Sequence, residues 1–140
     1  KTTRMKSLQL LASMLFAVIV VNAQTLQSDN YAPTGYIKPD GTIQNSSYAT
    51  VGYIKADGRI QNSSYSTIGY IKPDGTIQNS SYSTIGYVKS NGVVQNSRYS
   101  TIGYIKDDGT VQNSSYSTIG YARGVRREWA AVAFFFFRFN

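Results

Sequence analysis

The sequence predicts an all-β fold of tandem 17-residue repeats, an elongated meander of short β-hairpins, and three observations carry that expectation. Glycine recurs at Gly35, Gly52, Gly69, Gly86, Gly103 and Gly120 with an unbroken spacing of 17. All twelve tyrosines fall on two columns of that repeat. Each unit carries one strong turn, in the series KPDGT, KADGR, KPDGT, KSNGV and KDDGT. A fixed period of this size marks a repeat architecture. A unit with about three aliphatic side chains, such as Ile68, Ile71 and Ile77, cannot bury a core alone and must share one with its neighbours. The alternative is a β-solenoid with one repeat per coil and like residues stacked about 4.8 Å apart.

Taken in order, residues 1–4 precede the first methionine and read as upstream translated sequence. Residues 5–23 have the pattern of a secretory signal peptide. Lys6 gives the positive end, Leu8 to Val21 the apolar run, and Val21-Asn22-Ala23 a small-residue cleavage site. The apolar run, about 14 residues, is short of the roughly 20 that a membrane span takes. The expectation is an exported bacterial protein, periplasmic, cell-surface or secreted, cut near Ala23, with no membrane span in the mature chain. Removing Lys1, Arg4 and Lys6 leaves 11 basic and 7 acidic residues, a net charge of +4 in place of +7.

Residues 24–34 form a partial repeat and N-terminal cap, because Thr25-Leu26-Gln27 matches Thr42-Ile43-Gln44 and Tyr31 lies 17 before Tyr48. Five complete units occupy residues 35–119. Within each, glycine after Asp or Asn can take the left-handed conformation that closes a type I turn with a bulge. That turn sets Lys72 opposite Thr76, Ile71 opposite Ile77 and Tyr70 opposite Gln78, with isoleucines on one face and the polar residues on the other. The second connection, Asn79 to Ser83, is polar and turn-prone. Ile85 and Val88 are three apart and would face opposite ways on a flat strand, so a bend or bulge is expected at each glycine of the 17-residue column. Residues 120–140, "GYARGVRREWAAVAFFFFRFN", break the period and read as an apolar C-terminal cap strand.

Function is approached by elimination. Without cysteine or histidine there is no disulfide, thiolate or imidazole chemistry. Asp40, Asp57, Asp74, Asp108 and the matching Asn91 recur beside glycine, but one carboxylate per unit is a poor supply for calcium, so no metal and no cofactor is expected. Asp107 and Asp108 are adjacent turn residues and Glu128 is distant, which does not make a glycosidase pair. Asn45, Asn62, Asn79 and Asn113 fit the glycosylation pattern but are better explained as turn residues. Arg123, Arg126, Arg127 and Glu128 read as a solvated rim. The basic residues recur singly, so no nucleic-acid partner is expected.

The column Tyr36, Tyr53, Tyr70, Tyr87, Tyr104 and Tyr121 is the candidate binding feature: on the wet face opposite glutamine it makes a stripe of amphipathic rings suited to glycan or a cell-surface protein. The competing account is that these rings pack on neighbouring rings across the sheet. The functional expectation is a non-enzymatic structural or adhesive protein. The alternative is an ice-binding or surface-active array on the column Thr50, Thr67, Thr84, Thr101 and Thr118, which requires a flat hydroxyl lattice.

With a leader, units of GYIK-x-DG-x-IQNSSY-x-TI and an ending of Trp-Ala-Ala-Val then poly-Phe, the chain resembles a group of short exported repeat proteins of Bacteroidetes-type bacteria. That resemblance implies export and carries no established activity. The repeated tryptophans of MORN and choline-binding repeats are absent, as Trp129 stands alone.

Overall fold

The computed structural model describes residues 24–140; the leader and its cleavage site lie outside the described residues. Twelve strands follow one another: β1 (Gln24–Ser28), β2 (Pro33–Ile37), β3 (Thr42–Asn45), β4 (Thr50–Ile54), β5 (Arg59–Asn62), β6 (Thr67–Ile71), β7 (Thr76–Asn79), β8 (Thr84–Val88), β9 (Val93–Asn96), β10 (Thr101–Ile105), β11 (Thr110–Asn113) and β12 (Thr118–Tyr121). Each pairs antiparallel with the next, and β1 also pairs with β12, so the sheet is a closed barrel.

The local register follows the turns. Tyr70 lies opposite Gln78 and Ile71 opposite Ile77, while the Lys72 N–H donates to the Thr76 carbonyl at 2.9 Å. The bulge arises where the glycine spacing requires it: Ile77 faces Gly86 while Gln78 faces Thr84, leaving Ile85 as the extra residue. The extra residue lets both Ile85 and Val88 pack toward the core, one partly and one fully buried.

The sequence expectation of an elongated row is corrected by closure. Gln27 pairs with Tyr121 and Ser28 with Gly120, the register in which Gln44 pairs with Tyr36 and Asn45 with Gly35. The two ends of the chain are therefore the halves of a sixth unit. Residues 24–34 are not a cap, and Gly120-Tyr121 belong to that unit. Joining the ends leaves no edge strand in the sheet.

The C-terminal cap strand is corrected as well. After a turn at Gly124 the chain forms a short helix α1 (Arg127–Ala131), which widens into a π-helical turn over Val132–Phe136. Its signature is the Phe137 N–H donating to the Val132 carbonyl at 3.0 Å. This segment threads the barrel. Arg126, Glu128 and Trp129 lie against Asp57, Gly58, Lys72 and Pro73 at the Asp-Gly turn end. Ala130, Ala131 and Val132 are fully buried, and Phe137 to Asn140 emerge beside Thr34, Gly35 and Asn45 at the other end. An extended strand inside a closed sheet would leave its backbone groups without partners, whereas a helix satisfies its own.

The core has two layers around this plug. One is the facing aliphatic pairs Ile37/Ile43, Ile54/Ile60, Ile71/Ile77, Val88/Val94 and Ile105/Val111, completed by Leu26 and Ala122 in the sixth unit. The other is the glycine column. Phe134, Phe135, Phe136, Phe137 and Phe139 lie on Gly120, Gly103, Gly86, Gly69 and Gly52 in turn, one ring per unit. A Cβ at Gly120 would sit 2.6 Å from Phe134 Cε1, so the ring occupies the space a side chain would need.

Candidate functional site

Both connections of a unit have the same backbone. In the first, the Lys38 N–H donates to Thr42 O at 2.8 Å and the Gly41 N–H to Lys38 O at 2.9 Å. In the second, the Asn45 N–H donates to Ala49 O at 2.9 Å and the Tyr48 N–H to Asn45 O at 3.0 Å. Each is a type I turn followed by a left-handed residue. That residue is Gly41, with φ +91°, at one end and Tyr48, with φ +66°, at the other. A side chain at Gly41 would collide with the Ile54 carbonyl of the next hairpin, whose N–H donates to Gly41 O at 2.8 Å. The Asn45 end is held instead by its side chain, as Asn45 Oδ1 accepts the N–H of Ser47 (2.9 Å) and Ala49 (3.1 Å).

Tyrosine takes this left-handed position in every unit, at Tyr31, Tyr48, Tyr65, Tyr82, Tyr99 and Tyr116. Each ring stacks on a tyrosine of the other column: Tyr36 with Tyr48, Tyr53 with Tyr65, Tyr70 with Tyr82, Tyr87 with Tyr99, Tyr104 with Tyr116, and Tyr121 with Tyr31 across the closure. Centroid separations run from 4.5 to 4.8 Å. The hydroxyls of Tyr70 and Tyr82 are hydrogen-bonded at 3.1 Å, and the pairs Tyr36/Tyr48, Tyr53/Tyr65 and Tyr87/Tyr99 repeat this at 3.1–3.2 Å. That bond, the first cause, together with slight desolvation and the neighbouring phenol, raises the pKa of the Tyr36 column above its ordinary 10.0.

The Tyr36 column thus lies on the outer face opposite glutamine, as expected, but half-buried under a second column that is 53–67% exposed. The sequence reading missed this second column as surface. Nothing in the pattern NSSY marks its tyrosine as the left-handed residue of the turn, which is why the column reads as a neighbour of the turn. Cations border the stacks: Arg123 lies 4.8 Å from the Tyr121 centroid, and Lys55 6.0 Å from that of Tyr53.

The remaining candidates are turn chemistry. Oδ1 of Asp40, Asp74 and Asp108 accepts the backbone N–H two residues on at 2.9–3.0 Å, and Asp57 and Asn91 do the same at 3.1 and 3.2 Å. These backbone bonds, ahead of the side-chain ones, lower the aspartate pKa values below 3.8. Among the described residues no three acidic side chains gather as a metal site. Asp107 accepts from Arg127, which also donates to Ser90 O, tying α1 to two hairpins. Glu128 lies 3.8 Å from Arg126, which covers Trp129, and these border a shallow cavity of about 260 Å³. Arg127 is not part of it. The column Thr50 to Thr118 runs around the closed barrel, which removes the flat lattice an ice-binding array requires.

Among known proteins, the sequence profile of the family described as 5-fold beta-flower protein matches residues 23–138, and the chain belongs to that family. The present barrel has six two-stranded units, one of them shared between the ends. No curated protein and no solved structure matches.

Proposed function

We propose that this beta-flower protein is an exported, non-enzymatic scaffold that binds glycans through its outer ring of tyrosine pairs. The observation that carries the reading is the left-handed tyrosine. A non-glycine residue in that conformation costs roughly 1–2 kcal/mol, and an aromatic pair returns about 0.5–1.5 kcal/mol. Stability is therefore nearly indifferent to it, and the same turn at the other end uses glycine. Six rings kept at such positions and left exposed serve the surface.

Stacked aromatic faces with polar edges suit the apolar face and hydroxyls of a sugar ring. Pairs recur every second strand, about 9–10 Å apart, which gives a ring of equivalent weak sites that a repeating polymer engages together. Export is supported by the leader pattern. The strands, four or five residues long, carry threonine, glutamine and tyrosine outward and fall short of the roughly 9–11 residues a membrane strand takes. No helix among the described residues is long and apolar enough to cross a membrane.

The test is a glycan array with the mature protein and a Tyr65→Gly/Tyr82→Gly/Tyr99→Gly variant, with Tyr70→Ala/Tyr87→Ala as the companion from the inner column. The glycine variant should keep its melting temperature within a few degrees and lose at least tenfold in apparent affinity. Binding that survives this variant refutes the reading, as does its unfolding, which would make the column structural.

A further inference from the structure

Five of the six glycine positions in the inner ring are covered by the chain's own phenylalanines, and the sixth is not. At Gly35 the three nearest atoms to a Cβ position are all backbone: Gln44 O at 2.6 Å, Gln44 C at 3.7 Å and Asn45 Cα at 3.8 Å. Two departures from the repeat open this place. Phe134, Phe135, Phe136 and Phe137 address successive glycines around the barrel, so the residue one step earlier, facing Gly35, is Ala133. The bulge position, aliphatic in Val51, Ile68, Ile85, Ile102 and Ile119, is Thr34 in this unit, its hydroxyl turned to Leu26 O at 3.2 Å.

The result is a cavity of about 300 Å³ at the end of the barrel where the tail emerges. Leu26, Ile43, Val51, Phe137 and Phe139 make its apolar wall, Gln44, Asn45 and Asn140 line it as well, and the exposed Arg138 stands at the rim. A space of roughly 150 Å³ with aliphatic and aromatic walls accepts a benzene ring, so this one has room for a ring with a short arm. The protein's own contacts define what fits over the glycine, since five phenyl rings already bring their outer edges against equivalent backbone.

We propose that the Gly35 socket binds a small aryl-alkyl carboxylate, its phenyl ring over Gly35 as Phe134 lies over Gly120 and its carboxylate at the Arg138 guanidinium. Arg138 has no ion-pair partner among the described residues, and a guanidinium matches a carboxylate with paired N–H donors. The site faces the barrel axis and is independent of the outer tyrosines.

The probe is 3-phenylpropanoate, titrated into the mature protein while the methyl resonances of Leu26, Ile43 and Val51 are followed by NMR. For a ligand of this size a saturable shift with Kd on the order of a millimolar is expected. Ala133→Phe supplies the missing ring from within. It should weaken binding at least tenfold while the melting temperature stays level or rises. Ala133→Leu is the milder substitution should the larger one not be accommodated, and it should weaken binding severalfold. Arg138→Gln should weaken 3-phenylpropanoate severalfold and leave 3-phenylpropan-1-ol unchanged. Three results would overturn the assignment: no saturable shift up to about 20 mM, some twentyfold above the expected Kd; shifts confined to other methyls; or undiminished binding by a folded Ala133 variant.

Discussion

Replacing Phe136 by alanine tests whether the tail is the core of the barrel or an appendage to it. Truncating a fully buried phenylalanine costs about 3–5 kcal/mol. Phe136 is half-buried, with its ring edge on Gly86, so roughly half applies, about 2 kcal/mol. For a domain of this size each kcal/mol moves the melting temperature by about 3–5 °C, which gives a drop of roughly 6–10 °C. Thermal unfolding followed by Trp129 fluorescence is the assay, because Trp129 sits on the same helical segment at the opposite end of the barrel and reports its release. The partner substitution Gly86→Ala places a Cβ against the Phe136 ring and 2.5 Å from the Gln95 carbonyl. Part of its penalty should vanish when Phe136 is already alanine, a coupling of about 0.5–3 kcal/mol. A drop under about 2 °C for Phe136→Ala, or additivity of the two substitutions, would refute the threaded plug.

Two further outcomes follow from closure and from the turns. Deleting Gly69 to Ile85 keeps register, Ile60 now facing Gly86, but leaves ten strands around a plug fitted to twelve; urea unfolding should show lower stability and a smaller cost for Phe137→Ala, whose socket Gly69 is gone, and an unchanged cost would count against the ring-per-unit packing. Asp40, Asp57, Asp74 and Asp108 have folded pKa values below 3.8, so their contribution is present above that value and lost as pH falls through the lower folded value; changing all four to asparagine, the residue already at Asn91, should flatten the melting temperature between pH 6 and pH 3, and an unaltered acid decline would assign it elsewhere.

What the sequence disclosed about this fold is what is local in it. The Asp-Gly turn dictates a three-residue connection, and from that alone Ile71 meets Ile77 and Tyr70 meets Gln78. The bulge was legible for a similar reason, because a three-residue offset between inward isoleucines cannot be met by period-two alternation. The outward placement of the tyrosines of the Tyr36 column followed from the same alternation. Their packing on neighbouring rings was the competing account, but the partner was not legible, because it depends on a left-handed residue that the pattern NSSY does not announce. Serine, asparagine and glycine are the ordinary choices for such a turn, and a tyrosine there reads as a neighbour of the turn instead of part of it.

Closure is a different matter, since it is set by curvature summed over all units, to which each identical unit contributes the same small bend. A repeat therefore looks alike in an open row and a closed ring, and only its ends can differ. Here they did. Thr25-Leu26-Gln27 is the second half of a unit and Thr118 to Tyr121 the first half of another, and set side by side they make one. Reading each end as a cap treated as two incomplete units what the fold uses as one complete unit. The phenylalanines follow from the same geometry. A run of four aromatic residues suggests a strand by propensity, but a barrel with six glycine gaps around its axis needs rings pointing to all sides, which a strand with two faces cannot provide and a widened helix can. Five rings for six gaps is then the informative count, and it leads to Gly35 and Ala133.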